Sequence, residues 1–246
     1  MAALNLPVIS CSLDPASRSR TLASASSELL REQGHDSSVI DLAEMELPPF
    51  DNDRVFASPA FRRLHALITA ADGVVLAFPV YNWAPAATVK SLIEATGATG
   101  EDGRVAAWFD KVVTFVCAAG LPHSYMATAT LGQSLMLDFK CVINPYTAYL
   151  SERDWEAAGV LTTDRAERLA KTMTVHAELS GLLAERSNSH EPEQLETRRG
   201  RRRLGESGHL VWLRSPALGV AREVDLDEDA ARGCLCVIRQ RQGIHE

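Results

Sequence analysis

Short apolar runs alternate with stretches of helical periodicity from the start of the chain to about Glu185. Pro7–Cys11, Ser37–Asp41, Gly73–Phe78, Lys111–Cys117 and Lys140–Asn144 have the length and β-branched content of strands, and Gly73–Phe78 is apolar without interruption, as in a strand covered on both faces. Between them, the spacing predicts helices over about 20–33, from Pro59 onward, over about 86–95 and over about 126–137, with a last one from Thr163 or Asp164 to about Glu185. In the first helix Leu22, Ala25, Ser26, Leu29 and Leu30 form the inward stripe, and Gly34 closes it. Ser58-Pro59 is a helix start, with a capping hydroxyl followed by proline in the first turn. Leu47-Pro48-Pro49-Phe50 is a loop, and Pro145 is expected to end the fifth strand. Leu169, Met173, Val175, Leu179 and Leu183 point inward from the last helix.

Five strands separated by helices imply a doubly wound α/β domain, with a parallel sheet and right-handed crossovers. The expected strand order is 2-1-3-4-5, which brings the first and third strand ends side by side. In such sheets ligands bind beyond the carboxyl ends of the strands, where the order reverses. Two loops there are rich in binding chemistry. Ser12-Leu13-Asp14-Pro15-Ala16-Ser17-Arg18-Ser19 joins strand one to its helix and offers hydroxyls, helix N-terminal N–H groups and a guanidinium to a phosphate. The same serines also suit helix capping and turn formation. Pro79-Val80-Tyr81-Asn82 follows strand three and offers backbone, an aromatic face and an amide to a planar ring, while an ordinary turn capping the next helix uses the same residues. Together the loops describe a mononucleotide site, best fitted by a flavin. No glycine-rich dinucleotide fingerprint occupies the first turn and no G-x-x-x-x-G-K-[ST] occurs, which disfavours a dinucleotide fold proper and ATP hydrolysis.

Composition narrows the class. The 246 residues carry a formal charge of −7, which argues against a general nucleic-acid or anionic-membrane binder. No run reaches about 18 apolar residues, and Met1–Pro7 lack the features of a secretory signal. Of five cysteines, Cys11, Cys117 and Cys141 fall in core strands; Cys234-Leu235-Cys236 forms a pair without a partner pair. The odd count without metal spacing suits a reduced, cytoplasmic protein.

After Ser187 the alternation stops. Ser187–Pro192 reads as a linker, Thr197–Arg203 is a basic run, Glu223–Asp229 is acidic, and His209–Leu213 and Cys234–Ile238 are short strand-like pieces. The expected division is a flavin-binding domain over 1–186 and an irregular, flexible extension over 187–246. The arginine run also suits a partner-binding arm.

The loops carry a resemblance. Ser-x-x-x-x-Ser-Arg-Ser at Ser12–Ser19, Ser58-Pro59-Ala60 leading to Ala71–Val75, then Pro79-Val80-Tyr81 and Val89-Lys90, resemble the NAD(P)H-dependent FMN reductase family of flavodoxin-like proteins. The likeness is to the branch serving alkanesulfonate monooxygenases and covers roughly residues 6 to 185. It implies FMN with its phosphate at Ser12, Ser17, Arg18 and Ser19 and its ring near Pro79, Val80, Tyr81 and Asn82. A third flavin loop is implied at Ala118-Ala119-Gly120, where alanine stands at one position that is often glycine; His123 follows nearby. NAD(P)H is the implied reductant, and no catalytic side chain or metal ligand is assigned, because the redox chemistry is the cofactor's. A small-molecule acceptor such as free flavin, a quinone or oxygen, a flavin-dependent monooxygenase as partner, and a homodimer or homotetramer with Trp83 or Phe109 in the interface complete the expectation. Two rivals remain: a flavodoxin-type electron carrier without NAD(P)H reactivity, and a non-catalytic partner-binding protein.

Overall fold

Every second residue of the central strand faces the same helical layer, and this alternation builds the domain. The computed structural model describes residues 2–100, 104–156 and 159–189. Strands β1 (Val8–Ser10), β2 (Val39–Asp41), β3 (Gly73–Tyr81), β5 (Val112–Ala119) and β6 (Val142–Ile143) form a parallel sheet in the order β2-β1-β3-β5-β6. This is the expected 2-1-3-4-5 arrangement, the doubly wound flavodoxin-like fold. Two short strands lie off that path: β4 (Ala84–Pro85) pairs antiparallel with β3, and β7 (Ala148–Leu150) pairs parallel with β5.

On one face Val74, Leu76, Phe78 and Val80 of β3 pack with α3 (Pro59–Ala70), α4 (Ala87–Gly97) and α5 (Ala129–Phe139). On the other, Val75 and Ala77 pack with α1 (Arg18–Glu32) and α6 (Thr163–Ser189). The short helix α2 (Leu42–Met45) follows β2 directly. Small residues such as Ala23, Ala77 and Ala118 line the α1 and α6 side. Each helix end has a local cause. Ser58 caps α3 by accepting from the Ala60 N–H at 3.1 Å. α1 ends where Gly34 takes φ +87°, its N–H bonding the Arg31 carbonyl at 2.9 Å and that of His35 the Leu30 carbonyl at 3.1 Å. Buried Lys111 closes α3 from outside, donating to the carbonyls of Thr69 at 3.0 Å and Ala71 at 2.7 Å.

Several boundaries differ from the sequence expectation. α1 begins at Arg18, not about Arg20, because Ser17 serves as its cap; its buried stripe is Ser19, Leu22, Ala23, Ser26, Ser27 and Leu30, with Ala25 and Leu29 at its margin. α5 begins at Ala129 after a 3-10 turn over Ser124–Thr128. Pairing along the sheet edge stops at Pro145 but resumes, Val116 facing Ala148 and Ala118 facing Leu150. The interruption is held from inside. The buried Asn144 side-chain amide donates to Thr114 Oγ1 at 3.0 Å and to the Thr172 carbonyl at 3.1 Å, while its oxygen accepts from the Tyr146 N–H at 2.9 Å. α6 runs on to Ser189, past the expected end near Glu185, so Ser187–Ser189 are helix and not linker; residues 190–246, which hold the other half of the expected linker and the whole basic and acidic runs, lie outside the described residues.

Behind the sheet, Thr114 Oγ1 lies 2.9 Å from His176 Nδ1. Asn144 donates to the same hydroxyl, and the other ring nitrogen, Nε2, is buried without a hydrogen-bond partner. Gly73 lies against this group: a Cβ there would meet Ser180 Oγ at 2.3 Å and His176 Cε1 at 2.9 Å. Gly73→Ala is expected to cost about 1–3 kcal/mol by overpacking, measured by chemical denaturation.

Candidate functional site

Hydrogen-bonded register brings three loops to one edge of the sheet. Ser10 of β1 faces Ala77 of β3, and Pro79 and Val80 of β3 face Ala118 and Ala119 of β5. The chain leaving β1 is stitched to its neighbours at once: Cys11 N–H bonds the Ala77 carbonyl at 2.8 Å, and the Thr88 hydroxyl of α4 donates to the Cys11 carbonyl. Cys11 and Cys117 are fully buried thiols whose pKa burial pushes far up, so neither is a nucleophile.

The first loop is ordered by its own polar side chains. Ser12, nearly fully buried, accepts from the Asp14 N–H at 3.2 Å, and Asp14 accepts from the Ala16 N–H at 2.9 Å. Ser17 accepts from the Ser19 N–H, and its hydroxyl lies 2.8 Å from that of Ser19. Ser19 itself is fully buried on the inward face of α1, so it acts on the loop by orienting Ser17. Arg18 is the first helical residue, where the backbone N–H has no partner within the helix. Its guanidinium Nη1 is buried and lies 2.6 Å from Glu152 Oε2, a charge contact without hydrogen-bond alignment. Trp155 lies beneath the same guanidinium, 5.3 Å from its ring centre.

The second segment is a correction. Pro79, Val80 and Tyr81 are not a loop but the last residues of β3, and Asn82-Trp83 form the two-residue turn of a hairpin, with Tyr81 facing Ala84. Proline is tolerated because β1 has already ended. Pro79's carbonyl accepts from Ala86 N–H at 3.1 Å on the side β1 has vacated, and its missing N–H faces the same side. Asn82 (φ +50°) and Trp83 (φ +63°) are both left-handed, the backbone a tight hairpin turn demands. Asparagine suits that conformation; tryptophan does not. Tyr81 and Trp83 are both exposed.

The third loop starts later than expected, since β5 runs through Ala119. Gly120 is exposed, and a Cβ there would meet nothing within 4 Å, which leaves open space above the strand end. His123 is also exposed. Tyr149 of β7 ties this loop down by donating its hydroxyl to the Leu121 carbonyl.

Sequence reading missed a fourth wall. Ser151 precedes a 3-10 turn over Glu152–Asp154, its N–H and hydroxyl both donating to Asp154 Oδ2, at 2.7 and 2.8 Å. Arg165 Nε clamps the other Asp154 oxygen at 2.8 Å. Burial works to raise the Asp154 pKa, but the Ser151 bonds and the Arg165 charge outweigh it and hold the carboxyl below its usual range. The Ser-x-x-Asp spacing at 151–154 was the available signal. Glu152, which opens this turn, and Trp155, which follows it, are the residues that reach Arg18.

The donor set fits a phosphate monoester: two hydroxyls, a guanidinium whose buried Nη1 makes no aligned hydrogen bond, and a helix end. No group of three or more His, Cys, Asp or Glu among the described residues is arranged to hold a metal. A doubly wound sheet with this edge defines a flavodoxin-like mononucleotide-binding protein. The chain belongs to the NADPH-dependent FMN reductase family, whose family model matches residues 4–155. Membership gives it the general chemistry of a flavin- and nicotinamide-using oxidoreductase.

Solved structures similar to this chain share the fold. FerB, a flavoenzyme NAD(P)H:(acceptor) oxidoreductase from Paracoccus denitrificans, aligns with a TM-score of 0.60 at 19% identity, over 73% of this chain and 98% of that one. RosB with bound 8-demethyl-8-formylriboflavin-5'-phosphate aligns at 0.59 and 16% identity, over 92% and 100%. The NADH:FMN oxidoreductase EmoB in its apo form aligns at 0.56 and 14%, over 72% and 90%. No curated protein gives a significant sequence match. No helix among the described residues is long and apolar enough to cross a membrane.

Proposed function

We propose that the chain is an NAD(P)H-dependent FMN oxidoreductase, with the FMN phosphate at Ser12, Ser17 and Arg18 and the ring against Pro79, Val80, Tyr81, Asn82, Ala119 and Gly120. The observation that carries the reading is the register of β1, β3 and β5, which sets a hydroxyl and guanidinium loop beside two strand ends, with open space over Gly120 beyond one of them. RosB, on the same fold, has a riboflavin phosphate derivative bound. When bound, a flavin accepts a hydride from nicotinamide at N5 and passes electrons to an acceptor such as free flavin, a quinone or oxygen. The chain's residues then have binding and orienting roles. Ser12 and Ser17 donate hydroxyls to the phosphate, Ser19 orients Ser17, and Arg18 supplies charge. Tyr81 shields one ring face, and Asn82 offers its amide to ring or ribityl oxygens. Tyr149 holds the third loop at the ring edge. The buried thiols Cys11, Cys117 and Cys141 suit a reducing cytoplasm. The test mixes purified protein with FMN and either NADH or NADPH. Nucleotide oxidation above the protein-free rate is the expected result. FMN binding with no oxidation of either nucleotide would leave an electron carrier instead.

The proposed electron acceptor is a small molecule, with a flavin-dependent monooxygenase as the protein partner, and the proposed assembly is a homodimer or homotetramer through α4 and α5. A cleft of about 650 Å³ opens between these helices, walled by Trp83, Pro85, Ile93, Leu131 and Phe139. Trp83 is exposed, and its left-handed backbone costs about 1 kcal/mol or more. Such strain in an exposed aromatic is accounted for if the ring packs on a second copy. Trp83→Gly is therefore expected to raise protomer stability by about 1 kcal/mol while weakening assembly, read by denaturation at low concentration and by sedimentation. Unchanged sedimentation would remove Trp83 from the interface.

A further inference from the structure

The guanidinium assigned to the phosphate already has a carboxylate. Arg18 Nη1 lies 2.6 Å from Glu152 Oε2, and the pair is accessible to water. The carboxylate is held in place by its own scaffold. Glu152 opens the 3-10 turn that Ser151, Asp154 and Arg165 lock, and Trp155, which stacks beneath Arg18, is fixed further along by a bridge to Leu161. Glu152 therefore projects from a locked turn, and its carboxylate meets Arg18 of the phosphate loop. A phosphate entering the loop meets an arginine whose charge is partly neutralised, with a second carboxylate, Asp14, on the loop itself. The phosphate must share the guanidinium with Glu152 or displace it.

We propose that Glu152 is a specificity-determining residue that acts through Arg18: it holds the guanidinium and tempers the loop's affinity for a phosphate, so that FMN exchanges as a substrate instead of staying as a resident group. This rests on the reading that the FMN phosphate docks at Ser12–Ser19. An acidic partner for the phosphate-binding cation lowers the preference for FMN over riboflavin, because only FMN carries the charge that the pair resists. The isosteric change Glu152→Gln keeps the shape and an acceptor oxygen for Arg18 but removes the charge, so it separates competition from propping.

The experiment measures FMN and riboflavin dissociation constants by flavin fluorescence for the native chain, Glu152→Gln, Arg18→Ala and the double variant, with thermal melts to verify folding. Glu152→Gln is expected to tighten FMN about five-fold, as for a partly exposed charge pair, and to leave riboflavin unchanged. The gain is expected to vanish in the Arg18→Ala background. Unchanged or weaker FMN binding by Glu152→Gln, with the native preference for FMN intact, would overturn the inference alone, since Glu152 would then only prop Arg18. A gain that persists without Arg18 would also overturn it, because Glu152 would be repelling phosphate directly. Equal FMN and riboflavin affinities in the native chain, insensitive to Arg18→Ala, would overturn the site reading together with the inference.

Discussion

Arg18→Ala is expected to weaken FMN about ten-fold or more while leaving riboflavin within about two-fold, as for the loss of a charge-assisted hydrogen bond to phosphate. The contrast matters more than the size. Arg18 begins α1 and its side chain contacts Glu152 and Trp155, so its removal leaves the ring-side residues on β3 and β5 untouched. A loss shared equally by the two flavins would mean that Arg18 supports the loop without meeting the phosphate. Flavin fluorescence titrations with each ligand distinguish the cases.

The second large effect is on acid stability. Burial, aided by the charge of His35, pushes the His176 pKa down from 6.5 to about 3. The ring is neutral in the native state, bonded to Thr114, and takes a proton readily only when the chain unfolds. Below pH 6.5 the unfolded state binds more protons, so stability falls as pH falls toward 3 and is unaffected by this group above 6.5. The slope approaches about 1.4 kcal/mol per pH unit, which amounts to a loss of about 2–3 kcal/mol near pH 4.5. His176→Asn should flatten that region of the profile, whatever its stability at neutral pH. The Asp154 pKa is depressed as well: its contribution is present above the usual carboxylate range and is lost only at more acid pH, as protonation breaks the Ser151 and Arg165 bonds. Denaturant melts across pH separate the two, and an unchanged slope in the histidine variant would contradict the assignment.

The strands and helix faces were legible because they follow from period, and the sheet order because only 2-1-3-4-5 was expected to set the first and third strand ends side by side. Gly73–Phe78 is apolar throughout since both faces are covered, and Ser58-Pro59 marks a start that needs only local bonds. The errors arise where distant residues decide. Pro79 looked like a strand end, yet the early exit of β1 frees the side on which proline lacks its N–H. Pro145 does end the fifth strand as expected, but the separate strand β7 beyond it, which pairs again with β5 past an Asn144 bonded to Thr114 and Thr172, was not foreseen. Nothing in the local pattern of Asn82-Trp83 marks a left-handed hairpin turn, because tryptophan is a poor residue for it.

The site divides in the same way. The polar turn that holds Ser12, Ser17 and Arg18 was legible as a candidate because strand, turn and helix are contiguous. Ser19 was legible as a polar residue but not as a buried one, which depends on α1 starting earlier. Glu152, Trp155 and Tyr149 are remote in sequence and reach the site only because β7 re-pairs with β5 after the interruption. Their capping spacing was visible, but its position beside the first loop was not.

The most direct check is a titration of the purified chain with FMN, followed by flavin fluorescence and calorimetric heat. Saturable quenching with measurable heat, stronger for FMN than for riboflavin, is the outcome required by a phosphate cradle at Ser12–Arg18 beside the ends of β3 and β5. A flat titration with neither signal at saturating FMN would contradict it.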